Sequence, residues 1–179
     1  HPISGWFFYF CTMEKEIAST AKIRFSDCDP IGHLNNVKYL EYMLNAREDH
    51  VESFYGFTYE EYSRRTGCTW ITIQNEIAYL KEVRYNSKVM ITSKTIEVSD
   101  RISKIEILMK SEDGKTINAV LWMNIIYFNM KTRTSETQPD DVKELFKKYL
   151  VSLDQKEFKT RVEFLRRQNK SANHNALNK

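Results

Sequence analysis

One short run of polar side chains carries the groups that could perform chemistry. Asp27, Asp29 and His33 supply two carboxylates and an imidazole, and Asn35 and Asn36 add two side-chain amides. A positioned carboxylate or imidazole can activate water, or a carboxylate can itself attack a carbonyl carbon. Backbone N–H groups that stabilise a developing oxyanion would complete a site for acyl transfer.

The same run predicts a turn that leads directly into a helix. Asp29-Pro30-Ile31-Gly32 suits a type I turn, because Asp, Pro and Gly occupy their preferred first, second and fourth positions. Asn35 or Asn36 is then a suitable N-cap. The free N–H groups of a helix N-terminus attract negative charge. Capping explains any one of these residues, but a turn needs one capping side chain rather than five polar groups.

The order of these residues resembles the signature of a known enzyme family. The string F-x-D-x-D-x-x-G-H-x-N-N-x-x-Y, from Phe25 to Tyr39, is similar to that of hotdog-fold acyl-CoA thioesterases of the 4-hydroxybenzoyl-CoA thioesterase type. The resemblance extends more loosely over residues 17–150. It implies an α+β hotdog fold, with an antiparallel sheet wrapped around a long central helix. It also implies hydrolysis of a fatty-acyl or aromatic-acyl CoA thioester to the free acid and CoA.

The resemblance also implies roles for individual residues. The family's catalytic carboxylate is the second Asp of the pair, which is Asp29 here, acting as nucleophile or general base. The backbone N–H of Gly32 or His33 is expected to bind the thioester carbonyl oxygen, and the His33 ring to orient or assist. Asn35 and Asn36 are expected to hold the loop and to position water.

Four neighbouring residues have lesser or different expected roles. Asp27 ranks well below Asp29 for the acid role. Tyr39, one helical turn further on, is expected to pack rather than react. Ile31 replaces an Asn found in relatives that act on acyl carrier proteins, which favours CoA as the carrier. Cys28 is expected to be a small packing residue rather than a nucleophile.

A long helix is predicted from Val37 to about Phe54. Its polar positions recur every three or four residues and form one narrow stripe: Lys38, Glu41, Asn45, Glu48 and Glu52. Most of the other positions are apolar or aromatic, so the helix should be buried on several sides. A curved sheet wrapped around it is the simplest host, which agrees with the hotdog fold independently of the resemblance.

Alternating β-branched and aromatic residues predict the strands of that sheet. The expected strands span residues 17–25, 68–80, 88–98, 102–110 and 116–130. An Asp-Gly turn at Asp113 and Gly114 joins the last two as a hairpin. Short helices are predicted at residues 58–62 and 139–150. This order of elements indicates a mostly antiparallel α+β domain.

Composition excludes several classes of function. With 27 basic and 24 acidic residues, the net charge is only +3, and no basic stripe with aromatic residues indicates nucleic acid binding. Cys11, Cys28 and Cys68 form no C-x-x-C pair, so neither a disulfide framework nor a zinc site is expected, and a cytoplasmic location is the default. We expect no metal, no other cofactor and no membrane-spanning segment.

The chain divides into three predicted parts. Residues 1–12 are interpreted as a vector-derived or upstream extension, since Met13 precedes a charged stretch typical of a natural start. Residues 13–150 form the hotdog thioesterase domain. Residues 151–179 form a polar, basic tail with no assigned function. Three apolar residues of this tail are spaced to lie on one helix face: Phe158, Val162 and Leu165.

Unpaired sheet edges and the resemblance together predict self-association. Natural proteins pair or cover sheet edges, and hotdog relatives pair edge to edge, so we expect a homodimer or a dimer of dimers. The acyl pocket is expected to use aromatic side chains such as Tyr42, Phe54 and Trp70. Two alternatives to the thioesterase remain open: a hotdog hydratase or dehydratase, and a non-catalytic acyl-ligand binding or sensor protein that would not need Asp29.

Overall fold

The computed structural model describes residues 15–177, and the proposed extension at residues 1–12 lies outside that range. Its six strands form one sheet: β1 (Ile17–Lys22), β2 (Cys68–Tyr79), β3 (Lys88–Val98), β4 (Ile102–Ser111), β5 (Ile117–Asn129) and β6 (Thr134–Ser135). Four α-helices accompany them: α1 (Asn36–His50), α2 (Tyr59–Thr66), α3 (Asp140–Lys148) and α4 (Phe158–Leu177).

The sheet is antiparallel throughout, with the order β1-β3-β4-β5-β2 and with β6 paired to the end of β5. It packs its inner face against α1, and the predicted α+β architecture of a sheet around a long helix is confirmed. Strand β2 pairs with β5 along one side only and therefore forms an edge of the sheet.

Local signals define the two ends of the central helix. The Asn35 side chain caps α1 by accepting a hydrogen bond from the Val37 N–H (3.3 Å). The helix continues into a π turn over Val51–Tyr55, and Gly56 then adopts a left-handed conformation (φ 79°). The predicted extent of the helix is thus confirmed, with its last turn in π rather than α geometry.

Burial along α1 differs from the hydrophobic pattern at both ends. Val37 in the first turn and Phe54 in the π turn are 69% and 50% exposed, although both are apolar. Arg47 and His50 are instead buried. Polarity alone predicted the opposite, because a hydrophobicity pattern does not show that hydroxyl groups on the facing strands can accept hydrogen bonds from buried polar groups.

Helix α4 covers the outer face of the sheet. Val162 and Leu165 are buried against Val120 and Trp122, and Phe158 packs edge-on against Trp122 with ring centroids 5.5 Å apart. The predicted apolar face of the C-terminal helix is therefore confirmed. Because β5 has α1 on one side and α4 on the other, its residues are buried on both faces.

An ion cluster beneath α4 holds the helix to the sheet. Arg161 donates from Nε and Nη2 to the two carboxylate oxygens of Glu106, each at 2.8 Å. Trp122 Nε1 also donates to Glu106 (2.8 Å), and Lys94 Nζ lies 3.3 Å from it. Burial would raise the pKa of the Glu106 carboxyl, but the hydrogen bond from Arg161 and the charge of Lys94 outweigh burial and lower it.

We predict that Arg161→Met lowers the free energy of unfolding by about 3 kcal/mol, because it leaves a buried carboxylate without its bidentate partner. Urea unfolding followed by circular dichroism would measure the change. Arg166→Met, at an exposed position of the same helix, is the matched control and should have little effect. An equal loss in both variants would contradict the assigned role of the ion pair.

His50 lies in a polar cluster between α1 and the sheet. Its ring nitrogens are 2.8 Å from Ser93 Oγ and 2.9 Å from Ser19 Oγ. Burial and the nearby charge of Arg47 lower the pKa of His50 from 6.5 to about 4. The folded protein therefore holds a neutral imidazole at pH values where an exposed histidine is already protonated.

This shift makes stability depend on pH in a defined direction. As the pH falls from about 6.5 to about 4, His50 becomes protonated in the unfolded chain but stays neutral in the folded protein. The free energy of unfolding should therefore decrease across this window. His50→Gln keeps a hydrogen-bonding group and should flatten that part of the profile. Urea unfolding at a series of pH values tests this, and identical slopes for both proteins would contradict it.

Candidate active site

The polar motif folds into a closed loop between β1 and α1. The Gly32 N–H donates to the Asp29 carbonyl (3.0 Å), which is the hydrogen bond of the predicted turn. The Asp29 N–H donates in return to the His33 carbonyl (2.7 Å). Gly32 has a φ of 81°, a backbone conformation that residues with a Cβ atom rarely adopt, so glycine is needed there. The proline turn thus holds Asp29 beside the start of α1.

The Asp29 carboxylate is anchored through one of its two oxygens. Oδ1 accepts hydrogen bonds from the N–H groups of Ile31 (3.0 Å) and His33 (2.9 Å). Among the residues that the structure describes, no donor is hydrogen-bonded to Oδ2. The loop therefore fixes the orientation of the carboxylate and leaves one oxygen available.

Asp29 lies in a groove of about 280 Å³ formed by the motif loop, the first turn of α1 and the end of β2. His33, Asn36, Tyr39 and Tyr79 line the same groove. Tyr79 donates to the Asn36 carbonyl (3.0 Å) and packs edge-on against Tyr39, with ring centroids 5.1 Å apart. The structure thus brings three predicted site residues, Asp29, His33 and Asn36, into one groove.

The remaining members of the predicted site support the loop. Asn35 caps α1, and its own N–H donates to the Asp27 carbonyl (2.9 Å). Tyr39 accepts a hydrogen bond from the Val83 N–H (2.9 Å) through its buried hydroxyl, which agrees with its expected packing role. Gly32 contributes to the site through the backbone conformation that the turn requires.

The backbone donors differ from those expected. The N–H groups of Gly32 and His33 both have acceptors inside the loop, on Asp29, so neither is free in this geometry. In the first turn of α1, the N–H groups of Val37 and Lys38 are also bonded, both to Asn35. The Asn36 N–H has no acceptor within the described part of the chain, and it is a donor that remains at the N-terminus of α1 beside the groove.

Asp27 is tied into the structure and does not line the groove. Its Oδ2 accepts a hydrogen bond from the Tyr42 hydroxyl (2.7 Å), and its Oδ1 lies 3.5 Å from Lys38 Nζ. Tyr42, expected in the acyl pocket, therefore points to Asp27 instead. Burial and the charges of Asp29 and Asp27 raise the pKa of Cys28, which disfavours a reactive thiolate between them.

A second groove, of about 340 Å³, lies further along the same edge, between α1 and strands β2 and β5. Of the aromatic residues expected in the acyl pocket, Trp70 lines this groove, whereas Tyr42 and Phe54 do not. The complete lining is Leu44, Arg47, Glu48, Tyr59, Thr69, Trp70, Thr72, Met123 and Ile125. Arg47 follows Leu40, Met43 and Leu44 at helical spacing, and a basic residue in that apolar row was the available sequence signal.

Two features of other protein classes are not observed between residues 15 and 177. No group of three or more metal-ligating side chains lies together there. No helix in that range combines the length and the hydropathy that a membrane crossing requires.

Comparison with known proteins identifies the family. The family model described as the thioesterase-like superfamily matches residues 23–146, which span the motif loop, α1, the four long strands and most of α3. No match is found among the curated proteins.

Solved structures with the same fold include two from Staphylococcus aureus and one from Escherichia coli. A Staphylococcus aureus protein solved in complex with CoA has a TM-score of 0.71 at 16% identity, over 80% of this chain and 91% of that one. The DHNA-CoA thioesterase of the same organism has a TM-score of 0.66 at 19% identity, over 74% and 89%. A probable thioesterase from Escherichia coli has a TM-score of 0.66 at 17% identity, over 75% and 98%.

The architecture and the family match agree with each other and with the sequence motif. The prediction of a hotdog-fold thioesterase is confirmed by the family model and by the fold shared with these structures. The chain belongs to the thioesterase-like superfamily, and it is a hotdog-fold thioester hydrolase.

Proposed function

We propose that this protein hydrolyses short acyl-CoA thioesters and that Asp29 is its catalytic carboxylate. The observation that carries the proposal is that only one of the two carboxylate oxygens of Asp29 is hydrogen-bonded. Two backbone N–H groups donate to Oδ1, while Oδ2 has no donor among the described residues. Asp29 lines the groove at the N-terminus of α1. A carboxylate whose orientation is fixed and whose second oxygen is free is suited to attack a carbonyl carbon or to take a proton from water.

The remaining roles follow from the groove. As the thioester carbonyl becomes tetrahedral, its oxygen gains negative charge, and the free Asn36 N–H at the start of α1 is placed to donate to it. This role replaces the one expected for the N–H groups of Gly32 and His33. The His33 ring and the Asn36 side chain line the groove and would orient the ester or the water. The products are the free acid and the CoA thiol.

We further propose that two copies pair through β2, as dimer or dimer of dimers. This edge strand is 12 residues long, and Ile73 near its middle is 52% exposed. Antiparallel pairing about a two-fold axis near Ile73 would place the Tyr79 end of one copy beside the Trp70 end of the other. The groove that holds Asp29 would then adjoin the partner's second groove, so that one substrate could span both.

Cysteine chemistry supports the proposed compartment. Cys28 and Cys68, the two cysteines within the described residues, are both free thiols. This is the usual state in a reducing cytoplasm, where we propose that the protein acts.

The catalytic role of Asp29 predicts that Asp29→Asn lowers kcat/KM at least ~100-fold, because an amide neither attacks nor accepts the proton. Its side-chain oxygen can still accept the two loop hydrogen bonds, so the Tm should change little. Release of free thiol from a panel of acyl-CoA esters of different chain lengths measures activity. Asp27→Asn is the matched control, since Asp27 lies outside the groove, and it should retain most activity.

Three outcomes of this panel are informative. Equal rates for wild type and Asp29→Asn would contradict the role of Asp29. Absence of thiol release from every ester would favour the non-catalytic acyl-binding alternative. If an enoyl-CoA ester is added to the panel, hydration of its double bond without thiol release would favour the hydratase alternative.

Pairing through β2 predicts that Ile73→Lys converts the dimer to monomer, because two like charges would face each other across the axis. Light scattering would show the change in mass, and thiol release should fall with it. Met130→Lys introduces the same charge at another exposed apolar residue, which follows β5 and lies on the side of β2 opposite its free edge, and should leave the mass unchanged. A monomeric wild-type protein with full activity would contradict a shared site.

A further inference from the structure

Arg47 is a buried cation whose partners among the described residues are all neutral. It is 2% exposed and lies in the last turn of α1, on the face that the helix turns to the sheet. Its Nη1 donates to Ser93 Oγ (3.3 Å) and its Nη2 to the Tyr55 hydroxyl (3.1 Å), and the Tyr55 ring centroid lies 4.9 Å from Cζ. Its Nε is buried and has no acceptor in the described part of the chain.

No carboxylate of the described residues forms an ion pair with Arg47. A guanidinium cannot lose its proton at accessible pH, so the charge remains. A buried, unpaired ion costs several kcal/mol in lost hydration. His50 does not compensate, because the charge of Arg47 and burial together keep that ring neutral. The fold therefore retains an uncompensated positive charge beside α1.

A second buried arginine in the same chain shows the contrasting case. Arg161 is as enclosed as Arg47, and it forms a bidentate pair with the buried Glu106. That pair is complete within the chain and lies on the opposite face of the sheet, under α4. Arg47 has the same chemical capacity to bind an anion in a bidentate manner, but no carboxylate of residues 15–177 forms an ion pair with it.

The place where an anion could reach Arg47 is the second groove, which Arg47 lines. Leu44, Met123 and Ile125 make much of its wall apolar, and Trp70 adds an aromatic surface. At about 340 Å³ the groove is near the lower end of the usual range for small-molecule sites, which suits a short acyl group. The second groove is small and largely apolar, and it contains one buried cation. These properties favour a ligand with a short carbon chain and one anionic group.

The groove contains two further groups that affect an anion. Glu48 lines it and is solvent-exposed, so its charge is screened by water at the mouth. Tyr59 also lines it, and burial raises the pKa of its hydroxyl even though the charge of Arg47 acts in the opposite direction. Tyr59 therefore remains a neutral hydroxyl that can donate to the same anion.

We propose that the second groove is the acyl pocket and that Arg47 binds a carboxylate at the far end of the acyl chain, which makes the preferred substrate the CoA thioester of a short dicarboxylic acid. This rests on the proposed function, in which pairing through β2 places the partner's Asp29 beside the groove. Attack by water on the thioester carbonyl breaks the carbon–sulfur bond. It yields the dicarboxylic acid and the CoA thiol, with no further reactant.

The physical reason for the preference is the pairing of a buried charge. A carboxylate that reaches the guanidinium from the groove would accept charge-assisted hydrogen bonds, which are stronger than those between neutral groups. Each hydrogen bond to a charged group changes affinity by roughly 10- to 100-fold. A neutral alkyl chain of equal length would fill the same space and leave the charge unpaired.

The test compares adipoyl-CoA with hexanoyl-CoA, two esters of equal chain length that differ in the terminal carboxylate. Wild-type protein should show a kcat/KM at least ~10-fold higher for adipoyl-CoA. Arg47→Met should remove this preference, so that the ratio of kcat/KM for adipoyl-CoA to that for hexanoyl-CoA falls at least ~10-fold. Arg65→Met is the matched control, because Arg65 is an exposed arginine over the Tyr62 ring and should affect neither substrate.

Each other result overturns the proposal or separates it from the proposed function. Equal or faster hydrolysis of hexanoyl-CoA by wild type would overturn it, and this arm does not depend on the folding of any variant. An equal loss on both esters in Arg47→Met would also overturn it, since that pattern indicates a structural role or a contact to the phosphates common to all CoA esters.

Binding measurements distinguish the two levels of the argument. Isothermal titration of the Asp29→Asn variant with each intact ester reports the preference of the groove without turnover, and adipoyl-CoA should bind at least ~10-fold more tightly. If wild type releases thiol from no ester of the chain-length panel, the proposed function fails, and this binding ratio alone decides the role of Arg47. Equal affinities would overturn it.

Discussion

The candidate active site depends on two hydrogen bonds from backbone N–H groups to one oxygen of Asp29. They lie within a proline turn that is closed by the hydrogen bond from the Gly32 N–H to the Asp29 carbonyl. The geometry of this turn requires the left-handed conformation of Gly32. The same two bonds decide what the carboxylate can do, because they fix its orientation while occupying a single oxygen. They also use the N–H of His33, whereas the first amide of α1, that of Asn36, has no acceptor among the described residues.

The sheet separates two polar environments that follow different rules. On the outer face, Arg161 and Glu106 form a pair that is complete within the chain, and α4 closes over it. On the inner face, Arg47 donates hydrogen bonds to the hydroxyl groups of Ser93 and Tyr55, and it forms no ion pair with a carboxylate of the described residues. A pair that is complete within the chain serves folding, whereas an incomplete pair beside a groove is free to take part in binding. Both grooves lie along the β2 edge, where a second copy would complete them.

Several features were predictable from local sequence because local physics controls them. The turn at Asp29, the cap at Asn35 and the capping box at Thr58 use contacts within a few residues of the chain. The strands and the central helix were predictable from hydrophobic period alone. The pattern gave no warning that Val37 and Phe54 would be exposed, since period assigns a residue to a face and does not show where the sheet ends.

What the sequence by itself determined was the type and order of the elements, the turn that presents Asp29 and the family that this motif signals. Only the tertiary structure decided which polar groups are paired. Tyr42 reaches Asp27 across 15 positions, Arg161 reaches Glu106 across 55, and Arg47 contacts Ser93 across 46. The physical reason is that a hydrogen bond or an ion pair forms by distance in space. Separation along the chain sets such distances only within a turn, a helix or a hairpin, and beyond these the packing of helices on the curved sheet sets them.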